Sequence, residues 1–382
     1  MKRICVVLGS RANYSSIKSA MSAIQDHPDL ELQVIATAST LLGRYGVAAD
    51  LVEADGFHIN ARVHMIIEGE TPHTMAKSTG LGLLELPSVF EQLQPDFVLT
   101  VGDRFETMAT TVAAAFMNIP LVHTMGGEVT GTIDESIRHA ITKFAHVHFP
   151  ASPDARDRIL KLGEKAEDVH LVGCPRVDLV KEVLDSKESL DSLWLKKGVG
   201  APFDPNQPFL LVSQHPVTTE FGCGETQILE TLEAVKDIGM QAIILWPNAD
   251  AGSEEIAKGV RKWREAGKAD NMHFFKNLPT DIYIRLMDRT SCLVGNSSSG
   301  IREGAYIGTP VVNIGSRQDG RERGKNVLAV NNFKKDIRDA VDAQIAHGKY
   351  DMDPIYGDGK AGERIADIMS SKTVNIQKRI TY

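Results

Sequence analysis

Short apolar runs rich in Val, Ile, Leu and Phe recur along the chain, each followed by a loop and then by a helical pattern. In the first half they cover residues 4–8, 32–36, 97–101, 120–123, 147–149 and 169–172. In the second half they cover 209–213, 242–246, 273–275, 292–294 and 310–314. Runs that are apolar on both faces and alternate with helices predict parallel sheets covered on both sides. Residues 181–207 separate the two series, first charged and then, from Gly198, rich in Pro and Gly. The pattern predicts an α/β protein of two Rossmann-like, doubly wound parallel-sheet domains, 1–175 and 176–360, with the boundary near 174–185. No low-complexity tract or short-period repeat interrupts it.

In such sheets ligands sit beyond the carboxyl ends of the strands. The residues following each run therefore outline a site. The first run leads into Gly9-Ser10-Arg11-Ala12-Asn13-Tyr14-Ser15, the run at 97–101 into Gly102-Asp103-Arg104-Phe105-Glu106, and the run at 120–123 into a loop with three glycines. In the second half the ends carry Gln214-His215-Pro216, Pro247-Asn248 and Gly295-Asn296-Ser297-Ser298-Ser299-Gly300. One cleft between two facing domains accounts for polar ends in both.

Composition narrows the function classes. The chain has 382 residues, 42% of them hydrophobic and 24% charged, as in ordinary globular proteins. Its net charge of -8 argues against a nucleic-acid binder, which carries a basic face or stripe. A phosphorylated small molecule needs only a local positive site. The four cysteines are scattered without metal-type spacing and read as reduced, mostly buried thiols of a cytoplasmic protein. No apolar run has the length of a signal-peptide core or a membrane span.

The most informative loop is Gly126-Gly127-Glu128-Val129-Thr130-Gly131-Thr132-Ile133-Asp134, with Arg138 and His139 following on a predicted helix. Asp134 and Arg138 are four apart and share one helix face. Charge on a glycine-rich strand-to-helix loop points to ligand binding. The serines of 297–299 could simply cap a helix. Three serines with two glycines exceed what a cap requires and favour a phosphate site made of N–H groups, hydroxyls and helix dipole. Glu303, one turn on, is placed to accept from ribose hydroxyls. Gly9-Ser10-Arg11 lacks the G-x-G-x-x-G spacing of a dinucleotide site, which counts against an NAD enzyme. Arg11 and the Asp103-Arg104 pair lie just past buried strands and face a ligand. His215 follows a strand and precedes Pro216. His146 and His148 lack a third ligand nearby and read as structural, while His139 stays ambiguous.

With these residues in hand the chain resembles the UDP-N-acetylglucosamine 2-epimerase family, in its hydrolysing branch. The resemblance runs nearly end to end. It is carried by GGEVTGTIDESIRHAITK (126–143), QHPVTT (214–219), PNADAGS (247–253), GNSSSGIRE (295–303) and GSRQDGRERG (315–324). It implies the two-domain GT-B fold of nucleotide-sugar glycosyltransferases, with UDP mainly on the C-terminal domain, the sugar toward the N-terminal one, and a final helix at 361–375 packing back on the first domain. Carried over by position, Arg11, Ser15, Arg104, His215, Asn248, Ser297, Ser298, Glu303 and Arg317 contact UDP. Asp103, Glu128, Asp134 and Arg138 line the sugar and, with His215, form the catalytic set. The implied reaction eliminates UDP from UDP-N-acetylglucosamine to a glycal, then hydrates it to N-acetylmannosamine for sialic acid synthesis. No metal or redox cofactor is required, and a homo-oligomer, dimer or tetramer, is implied. The alternatives are the same reaction on the UDP-activated 2,4-diacetamido-2,4,6-trideoxy sugar of legionaminic acid synthesis and a non-hydrolysing epimerase. Two departures stand out: Met125 occupies a position where many relatives carry a carboxylate, and Ser16 one where some carry a lysine.

Overall fold

The computed structural model describes residues 1–43, 47–69, 71–186, 192–247, 252–276 and 278–381, with the side chains of 192–194 left out. It divides into two compact units. The first comprises Met1–Val129, Ile133–Leu179 and Tyr356–Tyr382, and the second Thr130–Thr132 and Val180–Ile355.

The first unit holds a six-stranded sheet of β1 (Lys2–Leu8), β2 (Leu30–Thr37), β3 (Ala61–Val63), β4 (Phe97–Val101), β5 (Leu121–Thr124) and β6 (Val147–Phe149). Its order is β3-β2-β1-β4-β5-β6, and every pairing is parallel. The connecting helices are α1 (Arg11–Ser15), α2 (Lys18–Asp26), α3 (Ala48–Ala54), α4 (Pro72–Leu93), α5 (Phe105–Phe116), α6 (Asp134–Phe144), α7 (Pro153–Lys161) and α8 (Pro175–Asp185). Strand β4 is buried at every position. Cys5, Val7, Val98 and Leu121 form one apolar core with Leu86 and Phe90 of α4 and Ile141 of α6.

The second unit holds β7 (Val199–Gly200), β8 (Phe209–Ser213), β9 (Gln241–Leu245), β10 (Met272–Phe275), β11 (Cys292–Gly295), β12 (Val311–Ile314) and β13 (Val327–Val330). The order is β13-β12-β11-β8-β9-β10-β7, with only β7 antiparallel, along β10. Its helices are α9 (Gly224–Ile238), α10 (Ser253–Glu265), α11 (Thr280–Arg289), α12 (Ser298–Ile301), α13 (Glu303–Ile307) and α14 (Lys334–His347). The last helix of the chain, α15 (Ala361–Ser371), belongs to the first unit.

Several elements differ from the sequence pattern for physical reasons. Strands β3, β7 and β13 are two to four residues long and lie at sheet edges, so half-exposed side chains hide them from an apolar-run criterion. The run 169–172 is no strand. It makes a single bridge to His148 before Gly173, in the left-handed region, turns the chain so that Cys174 N–H donates to Tyr356 O (2.7 Å). The division between the two units falls inside α8, after Leu179, and the chain returns to the first unit at Tyr356. Helix α15 stops at Ser371 because Lys372 turns extended. Its ammonium binds Glu167 O (2.8 Å) and Asp168 (2.8 Å). Gly362 lets α15 approach α2 closely, since a Cβ there would lie 2.6 Å from the Ser19 carbonyl carbon. Asp178 accepts from the first N–H groups of α15, at 3.0 Å and 2.7 Å. Among the described residues no helix is long and apolar enough to cross a membrane.

Candidate active site

In the first unit the loop after β1 and the loop after β4 are tied together by Asn13. Its amide donates to Val101 O (3.1 Å), and its carbonyl oxygen accepts from Gly9 N–H (3.3 Å). Ser10 caps α1 by accepting from Asn13 N–H (3.1 Å). Gly9 is required, because a side chain there would run into Glu106, which is itself buried and paired with Arg104 Nε (2.8 Å). Arg11 is thus half-buried at the start of α1, Ser15 is buried at its end, and Arg104 stands partly exposed before α5. Ser16 donates to Ala12 O (2.7 Å), and nearby Lys18 pairs with Asp55 (2.9 Å).

The glycine loop leaves β5 through Met125, a buried residue with φ +60° whose N–H donates to Phe149 O (3.0 Å). Left-handed backbone at a non-glycine residue is strained, and such strain gathers at functional sites. Gly127 follows at φ +78°, where a Cβ would strike the backbone of Ala155. Its carbonyl accepts from Arg158 (2.5 Å). The buried Arg138 donates to Glu128 O (2.7 Å) and pairs with the partly exposed Asp103. Asp103, Glu128 and Arg138 are therefore joined. Asp134 stands one turn before Arg138 on α6, half-buried where the helix dipole favours a carboxylate.

In the second unit Asn296 organises the candidate phosphate site. Its side chain accepts from His215 N–H (2.7 Å) and donates to His215 O (2.8 Å). Its carbonyl accepts from Arg317 (3.0 Å) and Gln318 (2.9 Å). Gly295, at φ +137°, cannot carry a side chain against the Ser213 carbonyl. Ser297 caps α12 and lies 2.8 Å from the Ser299 hydroxyl, which also meets Tyr283 OH (2.6 Å). The helix expected at the serines is a single turn, 298–301, and Glu303 opens a second short helix. Hydroxyls and N–H groups, with Arg317, thus make up the donor set more than a full helix dipole does. Ser298 is half-buried and Glu303 buried. Asn248 lies outside the described residues. Residues Thr130–Thr132 group with this unit: Gly131 N–H donates to Arg317 O (3.3 Å) and Gly131 O accepts from Thr219 (3.1 Å).

Four side chains take roles that the sequence patterns do not assign. Asn13 and Glu106 brace loops, and Glu220 accepts from Ser316 and from Gln227 (2.5 Å). His123 lies inside an apolar strand, where no pattern marks it; its Nε2 is 2.8 Å from Gly102 O. His148 does have a structural role, 3.2 Å from Glu164, and His146 Nδ1 accepts from Leu121 N–H (3.2 Å).

One unit thus gathers carboxylates around a buried guanidinium, suited to proton transfer, and the other gathers N–H, hydroxyl and guanidinium donors suited to an anion. The family model of UDP-N-acetylglucosamine 2-epimerase matches residues 22–370. The chain is 33% identical over 380 residues to the UDP-N,N'-diacetylbacillosamine 2-epimerase (hydrolyzing) of Legionella pneumophila, covering 100% of this chain and 98% of that protein. It is 30% identical over 386 residues to the UDP-N-acetylglucosamine 2-epimerase of Neisseria meningitidis, covering 99% and 98%. Its fold is similar to that of the Methanocaldococcus jannaschii UDP-GlcNAc 2-epimerase solved in complex with UDP-GlcNAc and UDP, with a TM-score of 0.82 at 16% identity over 97% of this chain and 100% of that one. With two full-length relatives and a family model spanning most of its residues, this chain belongs to the UDP-N-acetylglucosamine 2-epimerase family.

Proposed function

We propose that the protein is a hydrolysing UDP-sugar 2-epimerase that converts UDP-N-acetylglucosamine and water into UDP and N-acetylmannosamine. The observation that carries this reading is the Asp103–Arg138–Glu128 cluster, with Asp134 on the same helix. The C2 proton of the sugar is not flanked by a carbonyl and is only weakly acidic. A positioned carboxylate must take it while the C1–O bond to UDP breaks, which leaves a glycal. Water then adds its hydroxyl at C1, and a proton returns to C2 on the opposite face. Arg138 holds a positive charge against Asp103 and fixes the backbone that carries Glu128. Arg317, His215 and the serines at 297–298 stabilise the charge that develops on the departing diphosphate.

A second reading is carried by the Legionella relative, named for UDP-N,N'-diacetylbacillosamine. The same elimination and hydration would then act on the 2,4-diacetamido-2,4,6-trideoxy sugar. Incubation with each UDP-sugar, without added metal or NAD, followed by NMR of the product, is the test. Free UDP and the 2-inverted free sugar are expected, and the faster substrate identifies the sugar. Accumulation of a UDP-activated 2-epimer would assign the non-hydrolysing reaction. Inactivity after EDTA treatment, restored by a divalent ion, would overturn metal independence.

Ser298→Ala and Arg317→Ala are expected to weaken UDP binding roughly ten- to a hundredfold each, the equivalent of a charge-assisted hydrogen bond of about 1.5–3 kcal/mol. Calorimetric titration with UDP measures this. Unchanged affinity in both variants would move the diphosphate elsewhere.

A further inference from the structure

We infer that His123 is a positioning residue for the sugar chemistry, its Nε2–H tautomer locking together the Asp103 loop, the glycine loop and helix α6. This rests on the functional reading above and adds a residue to it. His123 lies on β5 and is fully buried. Its Nε2 is 2.8 Å from Gly102 O, and a carbonyl can only accept, so Nε2 carries the proton. Gly102, at φ +72°, is the residue before Asp103, so this bond fixes the turn that aims the carboxylate. On the other side of the ring, Nδ1 is 3.3 Å from the Thr142 hydroxyl on α6, one turn beyond Arg138. With Nε2 protonated, Nδ1 can only accept, so the single Thr142 proton is divided between it and Arg138 O, 3.1 Å away. Gly126 lies against the ring so closely that a Cβ there would be 2.7 Å from Nδ1. One imidazole thus touches all three segments that carry Asp103, Glu128 and Arg138.

The ring is neutral. Burial pushes its pKa down to about 3, against the hydrogen bond to Gly102, and the titratable groups that act on it, His148, His139 and Lys378, are all basic and push the same way. It is a fixed two-ended connector, enclosed beneath the loops, and not a proton shuttle. An ordinary core histidine would need its hydrogen bonds satisfied but would not need to bridge the backbone beside three proposed catalytic groups.

The test compares His123→Phe, His123→Gln, Thr142→Val and the double variant His123→Phe/Thr142→Val by UDP-release kinetics and UDP calorimetry. His123→Phe keeps the apolar volume and loses both polar ends. It is expected to lower kcat by roughly 10–10²-fold, the scale of an ångström-level misplacement, while KM and UDP affinity stay within about threefold of the parent. Glutamine can present its Nε2–H to Gly102 O, so His123→Gln is expected to regain most of that loss. Thr142→Val is expected to lower kcat less. The double variant should be no slower than His123→Phe alone, because both act through one connection. A His123→Phe enzyme with parental kcat, a glutamine variant no better than phenylalanine, or additive losses in the double variant would each overturn the role. If His123→Phe fails to fold, Thr142→Val carries the test, and an unchanged kcat there overturns it. A parent protein that releases UDP from neither sugar defeats the functional reading instead, which is a distinct result.

Discussion

Asp103→Asn, Glu128→Gln and Asp134→Asn are each expected to lower turnover by at least ~10²-fold, the low end for general acid–base catalysis, with UDP binding retained. The family resemblance implies that Met125 stands where many members carry a carboxylate, and on that reading the remaining acids must carry both the abstraction at C2 and the later proton transfers. Asp103 has a second task, since it neutralises the buried Arg138. Loss of a carboxylate paired with a buried guanidinium is destabilising, by up to about 3–5 kcal/mol where the pair is fully buried. Asp103→Asn should therefore also lower the melting temperature, while Asp134→Asn, at the half-buried start of α6, should not lower it comparably. The variant that has lost the base will no longer exchange the C2 proton with deuterated solvent, and that readout separates chemistry from stability. Glu128 lies in the glycine loop whose backbone Arg138 holds (2.7 Å), so its side chain serves either the chemistry or the shape of that loop. Near-parental turnover and deuterium incorporation in Glu128→Gln would leave Asp103 and Asp134 as the catalytic pair.

How far the sequence reveals this site depends on what each residue does to a local pattern. Central strands such as β4 and β8 are buried on both faces and leave unbroken apolar runs, so the residues at their carboxyl ends could be found by position alone. Short edge strands can leave no such trace, and β3 was invisible because it is three residues long with Arg62 exposed and Ala61 only partly buried. Asp134 and Arg138 were legible through helical spacing, but nothing in spacing pairs Arg138 with Asp103, thirty-five positions earlier, instead of with Asp134. That choice is tertiary. The roles of Asn13, Glu106 and His123 were hidden for another reason. Asn13 meets backbone groups, Glu106 meets Arg104, and His123 meets Gly102 O and the Thr142 hydroxyl, and no local spacing marks any of these partners. The brevity of the helix at Ser298 was not legible, because serines and glycines signal where a helix begins but not how soon it breaks.

Loss of Glu164 is expected to destabilise the fold strongly, and the residue lies away from the proposed chemistry. Its carboxylate is buried and meets Lys143 (2.5 Å), Lys378 (2.6 Å) and His148 (3.2 Å). Lys378 also donates to Thr142 O (3.1 Å) and Lys143 O (2.8 Å), the last carbonyls of α6, so one ionic knot ties the C-terminal segment to the helix that carries Asp134 and Arg138. Burial alone would raise the Glu164 pKa. The hydrogen bonds from His148, Lys143 and Lys378 outweigh it and hold the group at about 2, below the ordinary 4.5. A carboxyl depressed in the folded state binds protons more readily once unfolded, so its contribution is complete above about pH 4.5 and drains away as pH falls toward 2. Glu164→Gln is therefore expected to cost about 3 kcal/mol at pH 7, the lower end for breaking a buried pair because Lys143 keeps contact with water. The gap between parent and variant should narrow steadily below pH 4.5, as the parent loses what the variant never had. Denaturation midpoints at pH 7 and pH 3 measure the gap, and hydrogen exchange over 134–164 and 372–381 locates it. A gap that is constant between the two pH values would mean that the carboxylate's charge contributes nothing, and that the cluster holds the tail by packing and neutral hydrogen bonds alone.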